Sequence, residues 1–159
     1  MKRKHQRQPI YSLIDEIMAS ATEPLPAAKR MYQVDVMLAG LDDLERGATP
    51  RKESWANCAD CVNLLETLVV MNEVADERGL LADAVQALAE AGIRNKQGMA
   101  LRLSGPGIQA VRAVLEDYAE VIAALPARVM IKAYRRTEAR LLAIQRGRVQ
   151  AHDVAIVAL

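Results

Sequence analysis

The sequence predicts an all-α fold, a bundle of five to six helices. Three observations lead there. Residues 55–71, WANCADCVNLLETLVVM, carry two apolar seams at helical spacing: Trp55, Cys58, Val62, Leu65 and Val69 on one, Cys61, Leu64, Leu68 and Met71 on the other. A helix apolar over so wide an arc is covered from more than one side, which makes this stretch the centre of a bundle. Apolar residues make up 52% of the chain, yet there are one Trp, four Tyr and no Phe, so the core is built from Leu, Val, Ile, Ala and Met, a set that favours helices. Finally, proline- or glycine-marked breaks divide the chain into segments of helical length.

In chain order, residues 1–9 read as a basic arm ending at Pro9, with residues 10–159 as a single helical domain. Ile10 to Ser20 forms a short helix with Ile10, Leu13, Ile14, Ile17 and Met18 on one face. Glu23-Pro-Leu-Pro breaks it, because proline removes a donor and restricts the residue before it. A longer helix follows from Ala27 to Glu45, with Met31, Val34, Leu38 and Leu41 as its seam, Met37 and Leu44 flanking, and Gly40 placed for a close helix contact. The central helix takes Thr49 as N-cap, Pro50 as first helical residue and Glu53 near the capping-box position.

Beyond a polar break at residues 75–79, Leu80 to Asn95 is a small-residue helix with Leu81, Ala84, Val85, Leu88 and Ala91 inward. Residues 99–103 alternate apolar and polar, and Val154, Ile156 and Val157 also read as strand. A lone strand leaves its backbone groups unpaired, so the expectation is a minor two-stranded β element, 99–103 with 153–158. Ser104 caps the next helix, whose seam is Ile108, Val111, Leu115, Tyr118, Ile122 and Leu125. The last helix, Ala127 to Gln145, has Met130, Tyr134, Thr137, Leu141 and Ile144 inward. Only Pro126 separates these two helices, which predicts an antiparallel hairpin.

One domain of 159 residues is long enough to bury a core. No apolar run reaches the roughly 18 residues of a transmembrane span, so no membrane partner is expected. The charged N-terminus is followed by no apolar segment or cleavage site, so no signal peptide is expected either. Two cysteines without a secretion signal point to a reducing compartment.

The net charge of +1 conceals a segregation. Lys2, Arg3, Lys4 and Arg7 give residues 1–8 a charge of +4, residues 126–148 carry +6, and residues 9–125 carry −8. Arg128, Lys132, Arg136 and Arg140 follow one another at steps of four along the last helix, with Arg135 beside them. This ridge reads either as a partner of the acidic middle of the chain or as a surface for phosphates or an acidic protein. With the arm, it forms the candidate binding surface: Lys2, Arg3, Lys4, Arg7, Arg128, Lys132, Arg135, Arg136 and Arg140.

Other motifs read as structural. Cys58-Ala-Asp-Cys61 is a single pair inside a helix, and His5 and His152 lie near the termini without ligand spacing, so two small core residues are expected and no metal. Glu116, Asp117 and Glu120 lack the Glu-x-x-His motifs of a di-iron bundle and read as a solvated acidic face. Ser104-Gly-Pro-Gly lacks the lysine and spacing of a P-loop and reads as a cap. No nucleophile–base set emerges. The expectation is no enzyme, no catalytic residue and no cofactor.

The runs WANCADCVNLLETL, LRLSGPGIQAVRAVLEDY and the terminal HDVAIVAL resemble a group of small phage- and prophage-encoded proteins of Gram-negative bacteria that has no assigned activity. The resemblance covers residues 50–159 and carries over no functional residues. It implies a phage accessory role in the bacterial cytoplasm. The functional expectation is therefore a non-enzymatic accessory protein that binds a host or phage protein. The alternative is a nucleic-acid-binding accessory or regulator, with the arm and the ridge along phosphates. Its binding would be sequence-tolerant, because no helix-turn-helix spacing and few aromatics are present.

Overall fold

A computed structural model describes residues 9–147. Six helices run in order: α1 (Leu13–Met18), α2 (Ala27–Arg46), α3 (Lys52–Val70), α4 (Leu80–Lys96), α5 (Gly105–Ala124) and α6 (Ala127–Gln145). The fold is an all-α bundle. α3 is the shared wall, packing against α2, α4, α5 and α6. Both seams anticipated for it are interior, and every residue from Cys61 to Leu68 is buried. Trp55 is buried with its indole Nε1 donating to the Leu88 carbonyl of α4 at 3.0 Å, so the polar edge of a core aromatic is satisfied.

The α2–α3 crossing is set by Gly40. A Cβ there would lie 2.8 Å from the Ser54 carbonyl oxygen, so only glycine lets the two backbones come this close. That contact rotates α2: Met37, Gly40, Leu41 and Leu44 are buried, while Met31 and Leu38 of the anticipated seam face outward. α3 also starts later than its sequence signals suggest. Arg51 occupies the N-cap without a side-chain bond, and the cap comes from α2 instead. The Asp43 carboxylate accepts from the Arg51 N–H at 2.9 Å and from the Ser54 hydroxyl at 2.5 Å. These bonds hold the Asp43 carboxyl below the usual carboxylate range.

The anticipated β element is not seen among the described residues: 99–103 is not a strand there, and 153–158 lies outside them. Residues 99–103 run as an irregular segment that buries Leu101 and leaves Arg102 exposed. Side chains meet its backbone groups: Arg94 donates to the Arg102 carbonyl at 2.8 Å and the Asn95 amide to the Met99 carbonyl at 2.9 Å. The Arg102 guanidinium in turn holds the Gly47 carbonyl at 2.6 Å. The period-two pattern thus reflects one buried leucine in a tethered loop.

Ser104 caps α5 as expected, accepting from the Gly107 N–H at 3.1 Å. α6 leaves α5 at Pro126 but makes most of its close backbone contacts with α3 and α1; the Tyr118 and Tyr134 hydroxyls, 3.2 Å apart, also link it to α5. The first N–H groups of α6 are met by the loop between α1 and α2: Ala127 donates to the Glu23 carbonyl at 2.8 Å and Arg128 to the Ser20 carbonyl at 2.9 Å.

The crossing is directly testable. Gly40→Ala is expected to lower stability by about 1–3 kcal/mol through overpacking, although alanine is the better helix former by about 1 kcal/mol. Urea denaturation of the variant beside the wild type measures it. A more stable variant means the close approach at Ser54 is not there.

Candidate interaction surface

The structure divides the basic ridge of α6. Side chains at steps of four advance about 40° around a helix at each step, so Arg128 and Arg140 differ by about a third of a turn. They consequently meet different neighbours. Arg128 donates to the Ala19 carbonyl at 3.1 Å and to the Ile17 carbonyl at 3.2 Å, satisfying the C-terminal end of α1. Arg135 forms an ion pair with Glu16 of α1. Arg140 points to the other side and donates to the Thr67 hydroxyl of α3 at 3.1 Å. Lys132 is half-buried and Arg136 is exposed. Lys2, Arg3, Lys4 and Arg7 lie outside the described residues. The structure therefore brings Arg128 and Arg135 together on α1 and sends Arg140 to α3.

α1 is fastened almost wholly by polar groups. Ser12 and Asp15 form a capping box, Glu16 meets Arg135, and the Ile10 N–H donates to the Glu138 carboxylate at 3.1 Å. One apolar anchor precedes the helix: Tyr11 is buried, its ring centroid 5.4 Å from that of Tyr134, with Lys29 at 5.1 Å over its face. No residue of α1 itself is buried. Its apolar side faces solvent, with Ile10 68%, Leu13 54%, Ile14 71%, Ile17 61% and Met18 79% exposed. An amphipathic helix normally turns this side to the core. Here the arginines of α6 hold the opposite side. The seam itself is visible in the sequence. Its outward direction depends on Glu16 finding Arg135, 119 residues away, and no local pattern encodes that.

A buried polar strip joins α3 to α6. The Thr67 hydroxyl donates to the Asn63 carbonyl at 2.9 Å and lies 2.7 Å from the Thr137 hydroxyl. Beside it Glu66 is 9% exposed, and its Oε2 has no hydrogen-bond partner among the described residues. Burial pushes the Glu66 carboxyl up to about 7, with the Arg140 charge opposing the rise.

The remaining motifs are structural in their contacts. Cys58 and Cys61 are free and fully buried, and burial pushes the Cys58 thiol up to about 12 and Cys61 upward too, which removes thiolate character. Among the described residues no three His, Cys, Asp or Glu side chains are placed to hold a metal ion. Asp117 pairs with Arg78 at the rim of a ≈ 240 Å³ cleft floored by Leu65, Val69, Leu81 and Val121. Among the described residues no helix is long and apolar enough to cross a membrane.

Compared with protein-family models, curated proteins and solved structures, the chain finds no match.

Glu66 sets a pH dependence. Its folded value, about 7, lies above the ordinary 4.5, so the folded state binds the extra proton. The corresponding stability is fully present below pH 4.5 and is lost as pH rises through about 7. Glu66→Gln is expected to match the wild type at the acid end and to exceed it above neutrality by on the order of 1–3 kcal/mol. Denaturation across that range measures the difference; a difference that does not grow with pH contradicts an ionisable Glu66 inside the α3–α6 seam.

Proposed function

We propose that the chain acts by binding another protein, without chemistry of its own, and that the outward face of α1 is its contact surface. The observation behind the reading is the set of four large apolar side chains held in solvent on one short helix, Leu13, Ile14, Ile17 and Met18, with Ile10 beside them. The largest apolar patch on a typical monomer spans about 300–600 Å² and is often a functional surface. Here the patch is kept in place by built contacts, the Arg135–Glu16 pair and the Arg128 bonds to the Ile17 and Ala19 carbonyls. The likeness to small phage proteins supports an accessory role inside a bacterial host cell, with a host or phage protein as partner and no membrane.

Nucleic acid is the weaker reading. Three of the five ridge cations, Arg128, Arg135 and Arg140, already bond within the chain. Phosphate contacts would then fall to Lys132, Arg136 and the arm.

The reading is tested by capture. The tagged full chain, produced together with an untagged copy in a Gram-negative host, is recovered at moderate salt after nuclease treatment. A stoichiometric protein companion is expected, and the charge-neutral double variant Ile14→Gln/Ile17→Gln releases it. Recovery of nucleic acid alone when nuclease is omitted, or a companion that the double variant retains, contradicts the reading.

A further inference from the structure

We infer that the partner seated on the α1 face is a second copy of this chain, joined α1 to α1 across a two-fold axis. This rests on the reading of α1 as a protein contact surface. The face carries no charge to match and no polar group to satisfy. Ser12 and Asp15 bond each other, Glu16 is paired with Arg135, and the carbonyls of Ile17 and Ala19 are held by Arg128. A mate covering Leu13, Ile14, Ile17 and Met18 therefore buries no unpaired ion, the condition under which an apolar contact keeps its full value.

Shape argues the same way. α1 packs on α6, and its polar fastenings leave its apolar side chains outward as an exposed ridge. A ridge of this kind packs against the side-chain grooves of another helix. An isologous contact supplies that helix from the same surface, and apolar against apolar is self-complementary.

Area is sufficient, though modest. Five aliphatic side chains more than half exposed present on the order of 400–500 Å². Two copies together bury at most about 800–1,000 Å², below the roughly 1,200 Å² of stable specific interfaces and in the range of weak, transient ones, so the dimer is weak and concentration-dependent. An anionic lipid surface fits less well. Asp15 lies on the same helix, and its bonds with Ser12 hold its carboxyl below the usual range, so it stays ionised against lipid phosphates.

Sedimentation equilibrium of the purified full chain, from low to several hundred micromolar, decides the matter. The expected mass rises from 17.5 kDa and levels at twice that value. Ile14→Gln/Ile17→Gln and, separately, Met18→Gln are surface changes whose helical circular dichroism should match the wild type. Each should raise the dissociation constant, the double variant by at least ~10-fold. A wild type that stays at 17.5 kDa overturns the inference while leaving the capture result to judge the contact surface itself. Unchanged dimerisation in both variants overturns it, because the contact then lies elsewhere. Growth past the dimer without a plateau overturns it as non-specific association. A monomer that floats with phosphatidylglycerol-containing vesicles, and loses this in the double variant, overturns it in favour of lipid.

Discussion

The close crossing of α2 over α3 at Gly40 is the constraint on which the remaining structure depends. With the Ser54 carbonyl 2.8 Å from where a Cβ would stand, α2 has one rotational setting. That setting buries Met37, Leu41 and Leu44. It also brings the Asp43 carboxylate over the start of α3, which it caps. The Gly47–Ala48 turn that follows is where Arg102 anchors the 99–103 loop. Together these fastenings enclose α3, whose seams fill with Cys58, Cys61, Val62 and Leu68 at no exposure.

The arginines of α6 act as fasteners. Their spacing carries them around the helix, so successive cations reach different elements instead of forming one straight basic surface. Arg140 joins the Thr67–Thr137 strip beside Glu66, while Arg128 and Arg135 clasp α1. The consequence for α1 is inversion: its polar side is turned inward by ion pairing and its apolar side is left to solvent. Charge segregation along the chain thus has a structural use, the acidic Glu16 meeting the basic α6, and it leaves an exposed apolar ridge on α1.

Much of this was legible in the residues. Both α3 seams, the inward positions of α4 and α5 and the Ser104 cap depend on periodicity and local turn chemistry, and all stand. What local reading could not give depends on contacts outside each helix's own apolar repeat. Thr49, Pro50 and Glu53 form a plausible helix start, but Asp43 competes for the same N–H groups and wins. Met31 and Leu38 fit a helical seam as well as Met37 and Leu44 do; only the Gly40 contact chooses between them. Residues 99–103 alternate like a strand, yet Arg94, Asn95 and Arg102 satisfy the loop without one. Of the candidate site, the basic ridge was visible and its pairing with the acidic middle of the chain was one of two readings; the particular partners, Glu16, the α1 carbonyls and Thr67, were not visible.

The central claim is that α1 is held apolar side out on a bundle whose centre is sealed. Thiol labelling of the Ile14→Cys variant at low micromolar concentration tests both halves in one experiment. The account predicts that one thiol per chain reacts at the rate of a free side chain, while Cys58 and Cys61 stay unlabelled until the bundle is unfolded. A protected thiol at position 14, or native cysteines that label at the same rate, would contradict it.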